Sequence, residues 1–370
     1  IKLLLKSPNY LSSLIDEDYS IYTVMPKLTS LSPLLNISSK GYSYFEGPPV
    51  ESLFDGVGEK ILEILNSSMK SPWFFYIHLM DLHWPLIVPQ KFEDEKFGKD
   101  KYDRVVSSID YYLKKFLDVL NLEETLIIIT SDHGHPIPFD EKDTTSFEPD
   151  LKLGLKVGKK LMPKFSHKFG ARIFNKTRET VKNKRLQVAN QNLSEYEIRS
   201  RLPPFIQSLF DELVKTPLLF SGYKMESLII KKQTRSLDIF PTVFDLLGFN
   251  YSGKIQGKSL LPLIRGDDYE ENSCYMHTIP HEKLSDNDQV GIRTSKYKYF
   301  RHARNPLSNI HLYDLTQDTL ENKNIYQENL EKIHEMEEII TKFSNFTDDS
   351  ILDEEEEAKI REELKRLGYL

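Results

Sequence analysis

Cysteine is almost absent: Cys274 is the single one in 370 residues. One thiol excludes an internal disulfide framework and gives no sign of oxidising export. It favours the cytoplasm as the expected compartment. Long apolar runs are missing too. None approaches the roughly 18 residues a bilayer span needs, so no transmembrane segment is expected. There is no initiating methionine and no signal-like segment at Ile1, so the natural start is expected upstream. No stacking platform or nucleic-acid signature occurs, which removes nucleic acid from the expected partners. The net charge of -7 argues for solubility and names no partner. The composition is that of an ordinary globular protein, long enough for one large domain and a smaller one.

The chemistry gathers at one place. The β-branched run Leu126-Ile127-Ile128-Ile129 passes through Thr130-Ser131 into Asp132-His133-Gly134. This reads as a buried strand delivering a carboxylate and an imidazole at its C-terminal end. Ligands of open α/β sheets bind outside the carboxyl ends of strands. A hard oxygen beside an imidazole nitrogen suits a metal ion, and Gly134 permits a sharp turn after them. The plain alternative is a strand end followed by a polar turn.

A second apolar run, residues 73–80, reads as a strand leading into Asp81-Leu82-His83-Trp84-Pro85. His78, inside the run, reads as a hydrogen-bonded core histidine. His83, just past it, stands where function concentrates. Residues 102–120 show helical apolar spacing, so strand, helix and strand predict a βαβ unit in a parallel, doubly wound sheet. Residues 1–60 are broken by five prolines and predict short helices and loops, with one amphipathic helix over 57–65. Residues 216–222 read as a further strand. Residues 235–247 read as a helix with Pro241 near its first turn and Gly248 just past its end.

Charge is uneven along the chain. Residues 151–201 hold fourteen Lys and Arg against Glu179, Glu195 and Glu197, a local +11 that leaves -18 elsewhere. Such asymmetry can mark an anionic partner, but a solvated helical insertion is the favoured reading. Beyond Arg265 the texture turns to short strands. Residues 291–294 and 297–300 predict a hairpin and 311–315 a third strand. A final helix is expected over 353–367, acidic at its start and basic near its end.

Several segments, in order, resemble the sulfatases of the alkaline phosphatase superfamily. They are Phe74-Phe75-Tyr76-Ile77-His78-Leu79 with His83-Trp84-Pro85, and Ile127 through Gly134. Phe210-Asp211-Glu212-Leu213-Val214-Lys215-Thr216-Pro217 and Ser236-Leu237-Asp238-Ile239-Phe240-Pro241 follow, then Gly257-Lys258-Ser259-Leu260-Leu261-Pro262. The series ends with Arg293-Thr294-Ser295-Lys296-Tyr297-Lys298-Tyr299 and Leu312-Tyr313-Asp314-Leu315. The resemblance implies a doubly wound, mostly parallel α/β sheet with a small C-terminal antiparallel sheet. It implies a partial core over 1–265, interrupted by a basic helical insertion at about 140–210, and a small α+β subdomain over 266–370. It also implies one divalent metal, calcium first, with magnesium or manganese as alternatives. Asp132 and His133 would be two of its ligands, and His83 the histidine at the ester oxygen.

The departures are as informative. The family nucleophile lies in a Cys/Ser-x-Pro-x-Arg motif, and no proline here has Cys or Ser two places before it. Cys274 precedes Tyr275 and Met276, so it reads as a structural thiol. The nucleophile and the remaining metal ligands are expected upstream of Ile1. The family cation ahead of the Phe210 segment is also missing, and His167 or Lys168 is a possible replacement. The expected function is hydrolysis of an anionic sulfate ester. The alternatives are a phosphoester hydrolase or phosphoglycerol/phosphoethanolamine transferase of the same superfamily, or a truncated, non-catalytic polyanion-binding protein.

Overall fold

The computed structural model of the chain describes residues 10–26, 40–44, 51–137, 167–201, 208–223, 225–250, 255–278 and 287–344. The helix expected over 353–367 and the first part of the basic insertion lie outside them.

A short helix, Tyr10–Asp16 (α1), leads into the strand Ser20–Pro26 (β1). β1 is rich in β-branched and aromatic residues and buried from Ile21 to Pro26, as a strand covered on both faces must be. It is the centre of a parallel sheet, flanked by Lys40–Tyr44 (β2) and Trp73–Ile77 (β3). Two strands therefore occupy a region expected to hold short helices and loops. The prolines that suggested interruption lie outside both strands, except Pro26, the last residue of β1.

Between β2 and β3 runs the helix Val57–Asn66 (α2). A reciprocal Ser52–Asp55 cap precedes it, and Gly56 takes a left-handed φ of 110° to join the two, a conformation that suits glycine. After β3 comes Lys101–Asp118 (α3), whose first turn is capped by Asp100 accepting the Asp103 N–H at 2.9 Å. Val105, Tyr112 and Phe116 of α3 are buried on one face. Tyr112 and Phe116 meet Val24, Leu53, Val57 and Ile61 in the largest N-terminal core cluster.

Leu126–Thr130 (β4) follows. Next come His167–Ala189 (α4), Glu195–Ser200 (α5), Asp211–Val214 (α6) and Leu218–Gly222 (β5). β4 and β5 pair antiparallel, Leu126 opposite Gly222 and Thr130 opposite Leu218. The expected parallel ladder between β3 and β4 is not formed among the described residues; β3 bonds to β1 and β4 to β5. Apolar spacing identifies a strand but not its partner, and antiparallel strands are common beside parallel ones in mixed sheets. β3 and β4 instead both line one open cleft of about 2580 Å³.

Ile239–Leu247 (α7) starts one turn after Arg235, carries Pro241 in its first turn and ends at Gly248 with φ 75°, as the sequence predicts. Leu261–Arg265 (α8) leads to the C-terminal sheet. Its strands, Cys274–His277 (β6), Gln289–Arg293 (β7), Tyr297–His302 (β8) and His311–Asp314 (β9), pair antiparallel in chain order. Cys274 lies inside β6 and packs against the core, where burial pushes its thiol up, consistent with a structural role. The sheet is covered twice. On one side Val290, Ile292, Tyr299 and Leu312 meet Met336 and Ile340 of the helix Leu330–Ser344 (α9). In a second cluster Met276, Phe300 and Tyr313 pack on Leu209, with Phe210 and Val214 beside them. That second contact holds α6 next to the cleft.

Candidate active site

The cleft collects the strand ends. β3 runs through Ile77 into His78 and His83; β4 runs through Thr130 into Asp132, His133 and His135. His83 follows a tight turn in which its N–H donates to the Met80 carbonyl at 2.9 Å. Asp132 and His133 are exposed. The Asp132 Oδ1 accepts the His133 N–H at 2.8 Å, and its Oδ2 lies 3.8 Å from the His133 Nε2. The three sequence-predicted residues therefore line one cleft.

Two histidines join them. His78 was expected to be a core residue. It is half-buried and bonded, its Nδ1 3.1 Å from the Tyr76 hydroxyl, yet it lines the cleft within the field of Asp132. Burial lowers its pKa, and the Asp132 charge opposes that shift. Burial, with a contribution from Asp132, raises the Tyr76 phenol. His135 also lines the cleft. Burial lowers its pKa against the Pro136 carbonyl, and the nearby His133 and His83 lower it further. His83, His133 and His135 share one device: each Nδ1 faces the carbonyl of the next residue, at 2.8, 2.7 and 2.8 Å. A carbonyl only accepts, so each Nδ1 donates, and in the neutral ring the lone pair is on Nε2. Ligating and catalytic histidines are commonly oriented this way. His83 and His133 were singled out in the sequence; the orientation they share with His135 was not legible there.

The loop is braced from behind. Gly134 donates its N–H to the Leu213 carbonyl of α6 at 2.7 Å, and a Cβ on it would sit 2.3 Å from the Glu212 carbonyl oxygen. Only glycine permits that approach. α6 is in turn fixed by ions. Arg293 grips Asp211 with two bonds of 2.9 and 2.7 Å, and the fully buried Lys298 bridges Asp211 at 2.7 Å and Glu321 at 2.8 Å. Burial alone would raise the Asp211 carboxyl, but Arg293 and Lys298 outweigh it and hold it well below the usual range. Burial pushes Glu321 up against the pull of Lys298. Arg199 of α5 adds a 2.8 Å bond to Glu212 and donates to the Leu320 and Glu321 carbonyls. Asp211 and Lys298 are 87 residues apart, and nothing in the local sequence pairs them.

A family model described as Sulfatase matches residues 35–249, more than half of the chain. The chain belongs to the sulfatase family. A second model, N-sulphoglucosamine sulphohydrolase, C-terminal, matches residues 207–346. The Delta 4,5-hexuronate-2-O-sulfatase of Bacteroides thetaiotaomicron is 28% identical over 129 residues, 32% of this chain and 25% of that protein. Arylsulfatase K of Mus musculus is 25% identical over 146 residues, 38% of this chain and 26% of that protein. The matched stretches thus span about a quarter of these relatives. A solved 2-O GAG sulfatase superposes with a TM-score of 0.55 at 17% identity, covering 92% of this chain and 74% of that one. The phosphonate monoester hydrolase of Agrobacterium radiobacter gives 0.55 at 13% identity, covering 90% and 79%. At such identities the likeness establishes the fold: an alkaline phosphatase-like α/β core with a small antiparallel C-terminal sheet.

Sulfatases generally bind a divalent metal. Asp132 and His133 offer one carboxylate and one imidazole, side by side and exposed, which fits two ligands of such an ion. Among the described residues no group of three or more His, Cys, Asp or Glu is disposed to hold a metal. His167 begins α4, but its side chain and that of Lys168 lie outside the described residues. No helix among the described residues is long and apolar enough to cross a membrane.

Proposed function

We propose that this chain carries part of the active site of a hydrolase that cleaves a sulfate ester on a sugar. The observation that carries the reading is the Asp132–His133 pair, lining one cleft with His83 at the carboxyl ends of β4 and β3, in a chain of the sulfatase family. The sugar is suggested by the relatives named for hexuronate and N-sulphoglucosamine substrates.

Asp132 and His133 would hold calcium, or alternatively magnesium or manganese. When bound, such an ion supplies positive charge beside the anionic oxygens of the ester. His83 handles the proton. The Trp84 carbonyl holds its Nδ1 and so directs Nε2 away from the backbone. A protonated Nε2 donates to the oxygen of the departing alcohol, whose charge grows as the bond to sulfur breaks. Gly134 and α6 keep the loop in place while this happens.

Site variants of the native protein test the assignment. Asp132→Asn and His133→Ala should each weaken divalent-metal binding, read by calorimetry, by roughly tenfold or more, with melting temperature unchanged. His83→Ala should lower turnover by about 10²–10⁴-fold and leave metal affinity alone. Wild-type metal affinity in both of the first two variants removes the metal assignment. Undiminished turnover in the third makes His83 a loop residue.

A further inference from the structure

The loop after β3 carries more than His83. Trp84, the next residue, lines the same cleft and is 50% exposed. The other Phe, Tyr and Trp side chains that line the cleft, Trp73, Tyr76 and Tyr196 among them, are buried or half-buried. No aromatic ring, cation or hydrogen-bond acceptor among the described residues meets the Trp84 indole. Both faces of a large apolar ring are thus left without protein partners, and so is its Nε1–H, a donor only. The fold forgoes the gain that burying such a ring would bring.

A single exposed apolar side chain is ordinary on a surface. What sets Trp84 apart is its place. Its carbonyl faces the His83 Nδ1 at 2.8 Å, and the turn is closed by the His83 N–H bond to Met80 at 2.9 Å. One residue therefore orients the imidazole with its backbone and offers a free indole from its side chain. Small-molecule sites are built in this way, from apolar or aromatic surface beside a few placed polar groups.

We propose that Trp84 is a substrate-binding residue, and that its indole is the platform on which the sugar bearing the ester stacks beside His83. This step rests on the sulfate-ester reading. A pyranose ring has a patch of C–H bonds on one face and hydroxyls around its edge. The C–H patch lies on the indole, and a hydroxyl at the edge accepts from the free Nε1–H. An aryl ester would use the indole face and leave that donor unpaired, so the sugar fits the residue better.

The chain has two tryptophans, Trp73 and Trp84, so in Trp73→Phe the indole fluorescence reports on Trp84 alone. The probes are a panel of monosulfated hexoses, hexosamines and hexuronic acids, with inorganic sulfate and phenyl sulfate as controls. At least one sugar should change the emission, and inorganic sulfate should not. If Trp73→Phe does not fold, the difference between the native protein and Trp84→Phe gives the same signal. On the sugar ester turned over best, Trp84→Ala should raise KM on the order of tenfold. Its kcat should stay near that of the native protein, the mark of uniform binding, and its melting temperature should not fall. Trp84→Phe keeps a ring and should lie between, whereas His83→Ala should show the opposite split. Emission unmoved by every sugar overturns the proposal, as does a native KM in Trp84→Ala or an equal response to phenyl sulfate. No sulfate release beside an intact sugar response counts against the hydrolase reading and leaves the platform standing.

Discussion

Asp81 illustrates what one side chain carries at a strand end. It follows β3, is 8% exposed, and accepts the Leu53 N–H at 3.0 Å. Burial pushes its carboxyl up to about 6, against the bond from Leu53. A folded-state pKa above the unfolded value means that the folded state holds the proton more tightly. Stability is then greatest below about pH 4 and declines as pH rises toward 6. At about 1.4 kcal/mol per pKa unit, the loss is on the order of 1–3 kcal/mol. Asp81→Asn keeps an oxygen for Leu53 and has no proton to lose. Denaturant titrations at pH 4.5 and 7 should show a smaller decline in the variant by about that amount; equal declines would refute the ionisation argument. The sequence singles out His83, Asp132 and His133, which line the cleft, because each follows an apolar run. It gives no such flag to His135, and it presents His78 as core because a strand's sequence does not reveal that one of its sides faces a cleft.

At the scale of elements the decisive contact is between the β4 loop and α6. The Gly134 N–H bond to Leu213 and the close approach to Glu212 couple the metal-type residues to a short helix locked by Arg293 and Lys298. Gly134→Ala should cost roughly 1–3 kcal/mol, as overpacking does, and should weaken divalent-metal binding although no ligand is altered. Circular-dichroism melts and calorimetry read the two effects; a stable variant with wild-type metal affinity would show that the loop does not depend on α6. Most elements were legible. α3, α7, β5 and the β7–β8 hairpin fall where apolar spacing and turn residues predict them. β1 was hidden among prolines that turn out to lie outside it or at its end. The partners of β3 and β4 were not legible, because pairing depends on residues far apart in the chain.

Across the whole molecule, two long-range features stand out. The C-terminal sheet, buried on both faces, presses α6 toward the cleft through Phe210 and the Asp211–Lys298–Glu321 ions. The charge asymmetry, visible in composition alone, is carried in part by the basic helix α4, whose end Arg201 holds through the Ala189 carbonyl and the Asn190 side chain. The account makes this a sulfate-ester site, while its fold is shared with a phosphonate monoester hydrolase. The direct measurement is anion release by the native protein from matched sulfate and phosphate monoesters of one sugar, read by ion chromatography. The account predicts that sulfate is released much faster than phosphate, and that Asp132→Asn abolishes the release. Faster release of phosphate, or release of sulfate undiminished by Asp132→Asn, would contradict it.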